Sequence, residues 1–126
     1  MENLIIRKSE GKGNGVFSNK SFKKGQTIEV APLILVPAKE FELIKKTKLY
    51  FYYFEYSNSH FAIALGYGSL YNHSYTPNAR YLYDYKNKTL IYKAIKYIDK
   101  NEEILINYNY YPNDNTPLED WFKPNL

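Results

Sequence analysis

Tyr71-Asn72-His73-Ser74-Tyr75-Thr76-Pro77-Asn78 crowds small hydrogen-bonding side chains into an irregular segment set between apolar runs. A buried segment of that kind must find partners for its polar groups. Taken singly, its residues also read as an Asx-turn loop in which a backbone carbonyl satisfies His73. Upstream, Gly11-Lys12-Gly13-Asn14-Gly15-Val16-Phe17 is a glycine-dense turn entering a strand. Glycines there either let the backbone approach a ligand with no Cβ in the way, or only supply the positive φ of a turn. The turn precedes a strand and not a helix, which excludes a Rossmann-type dinucleotide site. Downstream, Glu102-Glu103-Ile104-Leu105-Ile106-Asn107-Tyr108 is an apolar strand that ends on one of 15 tyrosines. A single tyrosine in that setting is ordinarily a core or surface aromatic.

Outward from these three stretches, helical periodicity is scarce and short β-type runs are common, so a mainly β domain is expected. Strands are predicted at Leu4–Lys8, Gly15–Ser18, Thr27–Val36 (with Pro32 marking an edge or bend), Phe61–Leu65 and Glu103–Tyr108. Ala79–Tyr85 and Lys88–Ala94 flank Lys86-Asn87 as a β-hairpin, with Tyr81, Tyr83 and Tyr85 on one face and Leu90 and Tyr92 on one face of the partner. One helix is predicted from Ala38 to Lys46, its apolar side Phe41, Leu43 and Ile44, with Lys45 and Lys46 suiting its C-terminal dipole. Pro112, Pro117 and Pro124 rule out regular structure throughout residues 112–126. A single domain over 1–126 is expected, with its core at about 4–112 and residues 113–126 as a tail.

Composition narrows the function. Cysteine is absent, which removes disulfides, thiolate zinc sites and cysteine nucleophiles together; only His60 and His73 offer imidazoles, so no metal site is expected. The apolar stretch Ile28 to Pro37 is broken by Glu29 and two prolines, far short of a membrane span, and Met1-Glu2-Asn3 does not begin a signal peptide. The expectation is a soluble, intracellular protein. Of the 17 basic residues only Arg7 and Arg80 are arginine, the side chain that best reads phosphate and guanine, so the net charge of +4 does not argue for direct nucleic-acid binding. Residues 99–126 hold six acids and two bases, a net of −4 that leaves +8 for residues 1–98. That acidic end is expected to suit a cationic peptide.

Gly-x-Gly-Val-Phe, then Asn-His-Ser-x-x-Pro-Asn, then Glu-Glu-Ile-x-Ile-x-Tyr, in that order and at this spacing, resemble the three signature blocks of SET-domain lysine methyltransferases. The resemblance covers about Ile6 to Pro112 and is similar to the minimal SET proteins of large DNA viruses and some microbes, which are dimeric. It implies a β-clip fold of small β-sheets with one or two short helices, in which the Asn-His-Ser segment threads under a loop of the C-terminal strand as a pseudoknot. It further implies S-adenosylmethionine as methyl donor, S-adenosylhomocysteine as product, and a protein substrate bearing the target lysine, with a histone tail as the usual one. Chromatin in a host nucleus or virion, or the cytoplasm of a microbe, would be the setting.

Carried over residue by residue, Lys12, Gly13, Asn14 and Gly15 would meet the methionine and ribose part of the cofactor; Asn72 and His73 would meet its adenine and amino-acid ends; Pro77 and Asn78 would hold the knot. Tyr108 matches the catalytic tyrosine, also beside the cofactor, and Tyr53, with Tyr52 as the alternative, matches a second channel tyrosine. Lysine would enter a channel lined by Tyr52, Tyr53, Ile106, Tyr110 and Tyr111 from the face opposite the cofactor.

Two departures stand out. No cysteine-rich zinc segment follows Tyr108, which leaves closure of the channel either to the aromatic tail (Tyr110, Tyr111, Trp121, Phe122) or to a second subunit in a homodimer; Trp121 fits a core plug equally well. Ile106 stands where the family has a Phe/Tyr switch, and a side chain without a hydroxyl leaves room for products beyond monomethyl-lysine. A SET module that binds cofactor and peptide with weak or no turnover is the rival reading.

Overall fold

Residues 3–118 are described in the computed structural model. Strands β1 (Leu4–Ser9) and β2 (Gly13–Ser18) form an antiparallel hairpin in register from Leu4↔Ser18 to Ser9↔Gly13. Its turn places Gly11 and Gly13 at φ 74°, so part of the glycine-dense stretch does serve the turn. Then follow β3 (Thr27–Pro37), β4 (Tyr53–Glu55), β5 (His60–Ala64), β6 (Asn72–His73), β7 (Ala79–Asp84), β8 (Thr89–Ala94) and β9 (Leu105–Ile106). Five of these make an antiparallel sheet in the order β4-β5-β3-β8-β7, while β6 and β9 form a two-stranded parallel sheet.

Pro32 lies in the central strand of the large sheet and does not mark an edge. It is tolerated because the ladder changes partner there: β3 pairs with β8 up to Pro32↔Thr89 and with β5 from Leu33↔Ala64 onward. A missing N–H costs least at such a handover, and the Pro32 carbonyl still accepts from Leu65 N–H at 2.9 Å.

The β7–β8 hairpin has the expected alternation. Tyr81 pairs with Tyr92 and Tyr83 with Leu90, and Tyr81, Leu90 and Tyr92 are buried in a core shared with Val16, Tyr71, Ile104 and Ile106. The expected helix is shorter than its pattern: a 3-10 turn at Ala38–Glu40 leads into α1 (Phe41–Ile44). No residue of α1 is fully buried and Leu43 is exposed. Phe41 alone makes the ring contacts, edge-on to Tyr53 and Phe61, and one anchor holds only about one turn. A second 3-10 turn, Lys48–Phe51, and β4 follow where periodicity gives no sign of them.

The apolar stretch expected as one strand from Glu103 to Tyr108 divides its hydrogen bonds among three partners. Ile104 N–H donates to Val16 O, Leu105 N–H to Asn78 Oδ1, and Ser74 N–H to Ile106 O. Only Leu105 and Ile106 therefore count as ladder, parallel to Asn72 and His73. Asn78, 3% exposed, binds this stretch on both sides, its Nδ2 donating to Glu102 Oε2 (2.9 Å) and Glu103 O (2.8 Å). No helix among the described residues is long and apolar enough to cross a membrane.

Candidate active site

The parallel pairing of β6 with β9 brings two sequence-distant segments to one place and puts Tyr108 just beyond their junction. Its backbone N–H donates to His73 Nδ1 at 3.0 Å, and its hydroxyl donates to the Tyr71 carbonyl at 2.6 Å. Burial first, then the neighbouring Tyr52 and Glu103, push the phenol above its ordinary range, so it stays a neutral donor.

Through His73, the Tyr108 backbone is joined to the residues expected at the cofactor. Lys12 Nζ donates to His73 O at 3.2 Å, and Asn72 Nδ2 donates to Asn14 O at 3.0 Å and Glu103 Oε2 at 2.8 Å. A Cβ built at Gly15 would meet the Glu103 carboxylate and lie 2.8 Å from Asn72 Nδ2, so the absence of a side chain there lets both polar groups reach the strand as they stand. His73 accepts at Nδ1, so its neutral ring carries the proton on Nε2, a buried atom with no partner among the described residues. An orphaned buried donor, a lysine ammonium and a glycine-lined strand edge fit a cofactor with an anionic carboxylate and polar ring atoms. Lys12, Gly13, Asn14, Gly15, Asn72 and His73 are thus assembled as one group.

Burial, with Lys12 adding a smaller push, lowers His73 from 6.5 to about 4. The unfolded chain takes up this proton as pH drops below 6.5, whereas the folded chain resists until about 4. His73 therefore leaves stability intact above 6.5 and erodes it as pH falls through that window. Thermal melts from pH 7 to 4 should show a decline that is shallower in His73→Gln; equal slopes would contradict this role for His73.

Tyr108 also lines a cavity of about 860 Å³ walled by Phe51, Tyr52, Tyr53, Phe54, Tyr81, Tyr83 and Tyr110, among others. Tyr110, at φ 79°, is edge-on to Tyr81 and stacked on Tyr83. Burial raises the Tyr81 and Tyr83 phenols well above their usual values, so these walls stay uncharged. Tyr53 lines the cavity, but its ring also lies against Phe41 and Phe61; Tyr52 lines it and acts electrostatically on Tyr108.

Two expected channel residues fall elsewhere. Ile106 pairs with His73 and is 1% exposed in the core, and it is not on the wall of the cavity. Tyr111 is 60% exposed, edge-on to Tyr110 and also off the wall.

The tail contributes more than its proline content suggests. Asn107 Nδ2 donates to Asp114 O and Asn109 Nδ2 to Thr116 O, both at 2.8 Å, and Thr116, Pro117 and Leu118 line the cavity. Trp121 and Phe122 lie outside the described residues. Two of the acids counted as a peptide-facing end, Glu102 and Glu103, are committed internally, while Glu119 and Asp120 lie outside the described residues. Glu102 Oε1 accepts from Asp99 N–H and Oε2 from Asn78, while Glu103 accepts from Ser9 Oγ and Asn72. Among the described residues, the acid that lines the cavity is Glu55, which lies outside the acidic end.

The comparisons with known proteins agree with this geometry. The SET domain family model matches residues 13–109. The chain is 34% identical, over 83% of its length and 72% of the relative's, to a Schizosaccharomyces pombe protein named histone-lysine N-methyltransferase, H3 lysine-37 specific. It is 29% identical to the zebrafish (Danio rerio) N-lysine methyltransferase KMT5A-A over 97% of this chain, spanning 40% of that protein. A solved Plasmodium falciparum structure, described as a candidate histone methyltransferase, superposes with a TM-score of 0.74 at 35% identity, covering 88% of this chain and 96% of the other. With the family model matching most of the chain and the fold shared with a solved relative, this protein belongs to the SET-domain methyltransferase family.

Proposed function

We propose that this chain is a protein-lysine N-methyltransferase that takes its methyl group from S-adenosylmethionine and acts on a histone tail or another basic protein. The observation that carries the reading is the position of Tyr108, bonded to His73 of the cofactor group and at the same time part of the aromatic cavity wall. When bound, the cofactor supplies a methyl carbon made electrophilic by its sulfonium. The residues of this chain do the rest. Uncharged aromatic walls exclude water and disfavour the ammonium form of an entering lysine, which must be neutral to attack. Tyr108, its hydroxyl fixed by the Tyr71 carbonyl, orients the amine, and holding the reactants in line supplies much of the acceleration. The proton leaves to solvent, so no general base is called for.

The name of the fission yeast relative supports a histone as substrate class. Closure in cis is supported by Thr116, Pro117 and Leu118 in the cavity wall. Labelled S-adenosylmethionine with a panel of histones and their tail peptides tests the reading: transfer to a lysine is expected, and cofactor binding with no transfer to any basic protein would overturn it.

The same assay sorts the channel tyrosines. Tyr52→Phe and Tyr53→Phe are each tested, and loss of the hydroxyl that meets the lysine amine is expected to lower kcat by about tenfold. The larger loss at Tyr53 would support it as the second channel tyrosine, and the larger loss at Tyr52 would move that role to Tyr52.

A further inference from the structure

Glu29 is a carboxylate buried to 5% exposure in the middle of an apolar strand. Burying a carboxylate is costly unless its oxygens are fully met by donors, so its placement asks for a reason. The strand is built to put it there: the β3–β8 register shifts between Thr27 and Glu29, so Ile28 and Glu29 are both buried although they are consecutive. A β-bulge of this kind re-aims one side chain. The carboxylate accepts from the Tyr71 hydroxyl at 2.6 Å and from Tyr67 N–H at 2.9 Å, and a Cβ at Gly66 would collide with it. Tyr71 is itself 1% exposed and stacked on Tyr92, centroids 4.5 Å apart, and the Tyr92 hydroxyl donates to Gly68 O at 2.6 Å. Both ends of the Gly66–Tyr71 segment are thereby fixed, and its last carbonyl is the acceptor for the Tyr108 hydroxyl.

We propose that Glu29 is a positioning residue for methyl transfer, holding Tyr71 so that the Tyr71 carbonyl aims the Tyr108 hydroxyl. The chain runs from carboxylate to phenol, through the rigid Tyr71 residue, to carbonyl and catalytic hydroxyl. Burial raises the Glu29 carboxyl from its ordinary value, and burial raises the Tyr71 phenol further still, so the shared proton rests on Tyr71 and Glu29 is the acceptor. Glutamine cannot replace it evenly, because its amide offers one acceptor oxygen where two donors arrive.

The inference rests on Tyr108 being the catalytic tyrosine, and a double-mutant cycle separates the two claims. Glu29→Gln and Tyr71→Phe are each made in the wild-type and the Tyr108→Phe backgrounds, and single-turnover rate, peptide KM and cofactor affinity are measured. In the wild type each should lower the rate about tenfold with KM and cofactor affinity changed less than about twofold; in Tyr108→Phe each should change the residual rate less than about twofold. A full tenfold loss in both backgrounds, or no loss in either, overturns the positioning role. If Tyr108→Phe leaves the rate at the wild-type level, it is the catalytic assignment that fails. Should Glu29→Gln not fold, Tyr71→Phe, which removes only the hydroxyl that meets Glu29, decides between these outcomes.

Discussion

Tyr108→Phe should lower the methyl-transfer rate by about 10²-fold or more, comparable to losing one preorganised donor at a reacting centre, while cofactor affinity stays within about threefold. The hydroxyl is the only atom removed. Its hydrogen bond to the Tyr71 carbonyl is lost, and with it the fixed oxygen beside which the amine is oriented. The backbone bond to His73 does not involve the side chain and persists, so the cofactor group should remain assembled. The ring stays in the cavity wall, and the fold should lose only about 1 kcal/mol for the unmet buried carbonyl. Single-turnover transfer to a lysine peptide measures this effect. A rate equal to the wild type would remove Tyr108 from the mechanism.

Asn78→Ala has the largest effect expected on stability. Three hydrogen bonds converge on this buried side chain, to Glu102 Oε2, Glu103 O and Leu105 N–H, and they tie the β6–β7 connection to the β9 segment. Truncation leaves a backbone N–H and a carbonyl without their partner in the core, a loss on the order of 2–4 kcal/mol. For a domain of this size that lowers Tm by about 5–15 °C. Catalysis should fall as well, because the same bonds set how β9 lies against His73 and hence where Tyr108 emerges. A thermal melt shifted by less than about 2 °C would show that the crossing is held by other means.

How much of this is legible in the chain depends on where the information sits. Alternation puts Tyr81 and Tyr83 opposite Tyr92 and Leu90 because a period of two is local, and the pairing follows the pattern. The three motif blocks locate Lys12 to Gly15, Asn72, His73 and Tyr108, and the structure assembles them on either side of one pairing of two residues. That pairing is too short to leave any periodicity, so its parallel sense is not legible without the family resemblance. Pro32 looks like an edge marker because a central strand seldom admits proline; the handover from β8 to β5 exists only in three dimensions. Tyr52 and Tyr53 fall at the join of a 3-10 turn and a strand, where neither period applies. Glu29 reads as an interruption of an apolar run, and a bulge that turns an acid inward has no sequence signature of its own. Its one available signal is that an acid between Ile28 and Val30 breaks a local rule, and such breaks concentrate at functional sites.

The central claim is that Tyr108 stands between a cofactor side and a lysine side. A crystal structure with S-adenosylhomocysteine and a lysine-containing histone peptide tests it most directly. The expected result has the nucleoside and amino-acid groups against Lys12–Gly15, Asn72 and His73, and the lysine side chain in the aromatic cavity with its amine beside the Tyr108 hydroxyl. Cofactor bound within the aromatic cavity, or lysine entering beside Lys12, would contradict it.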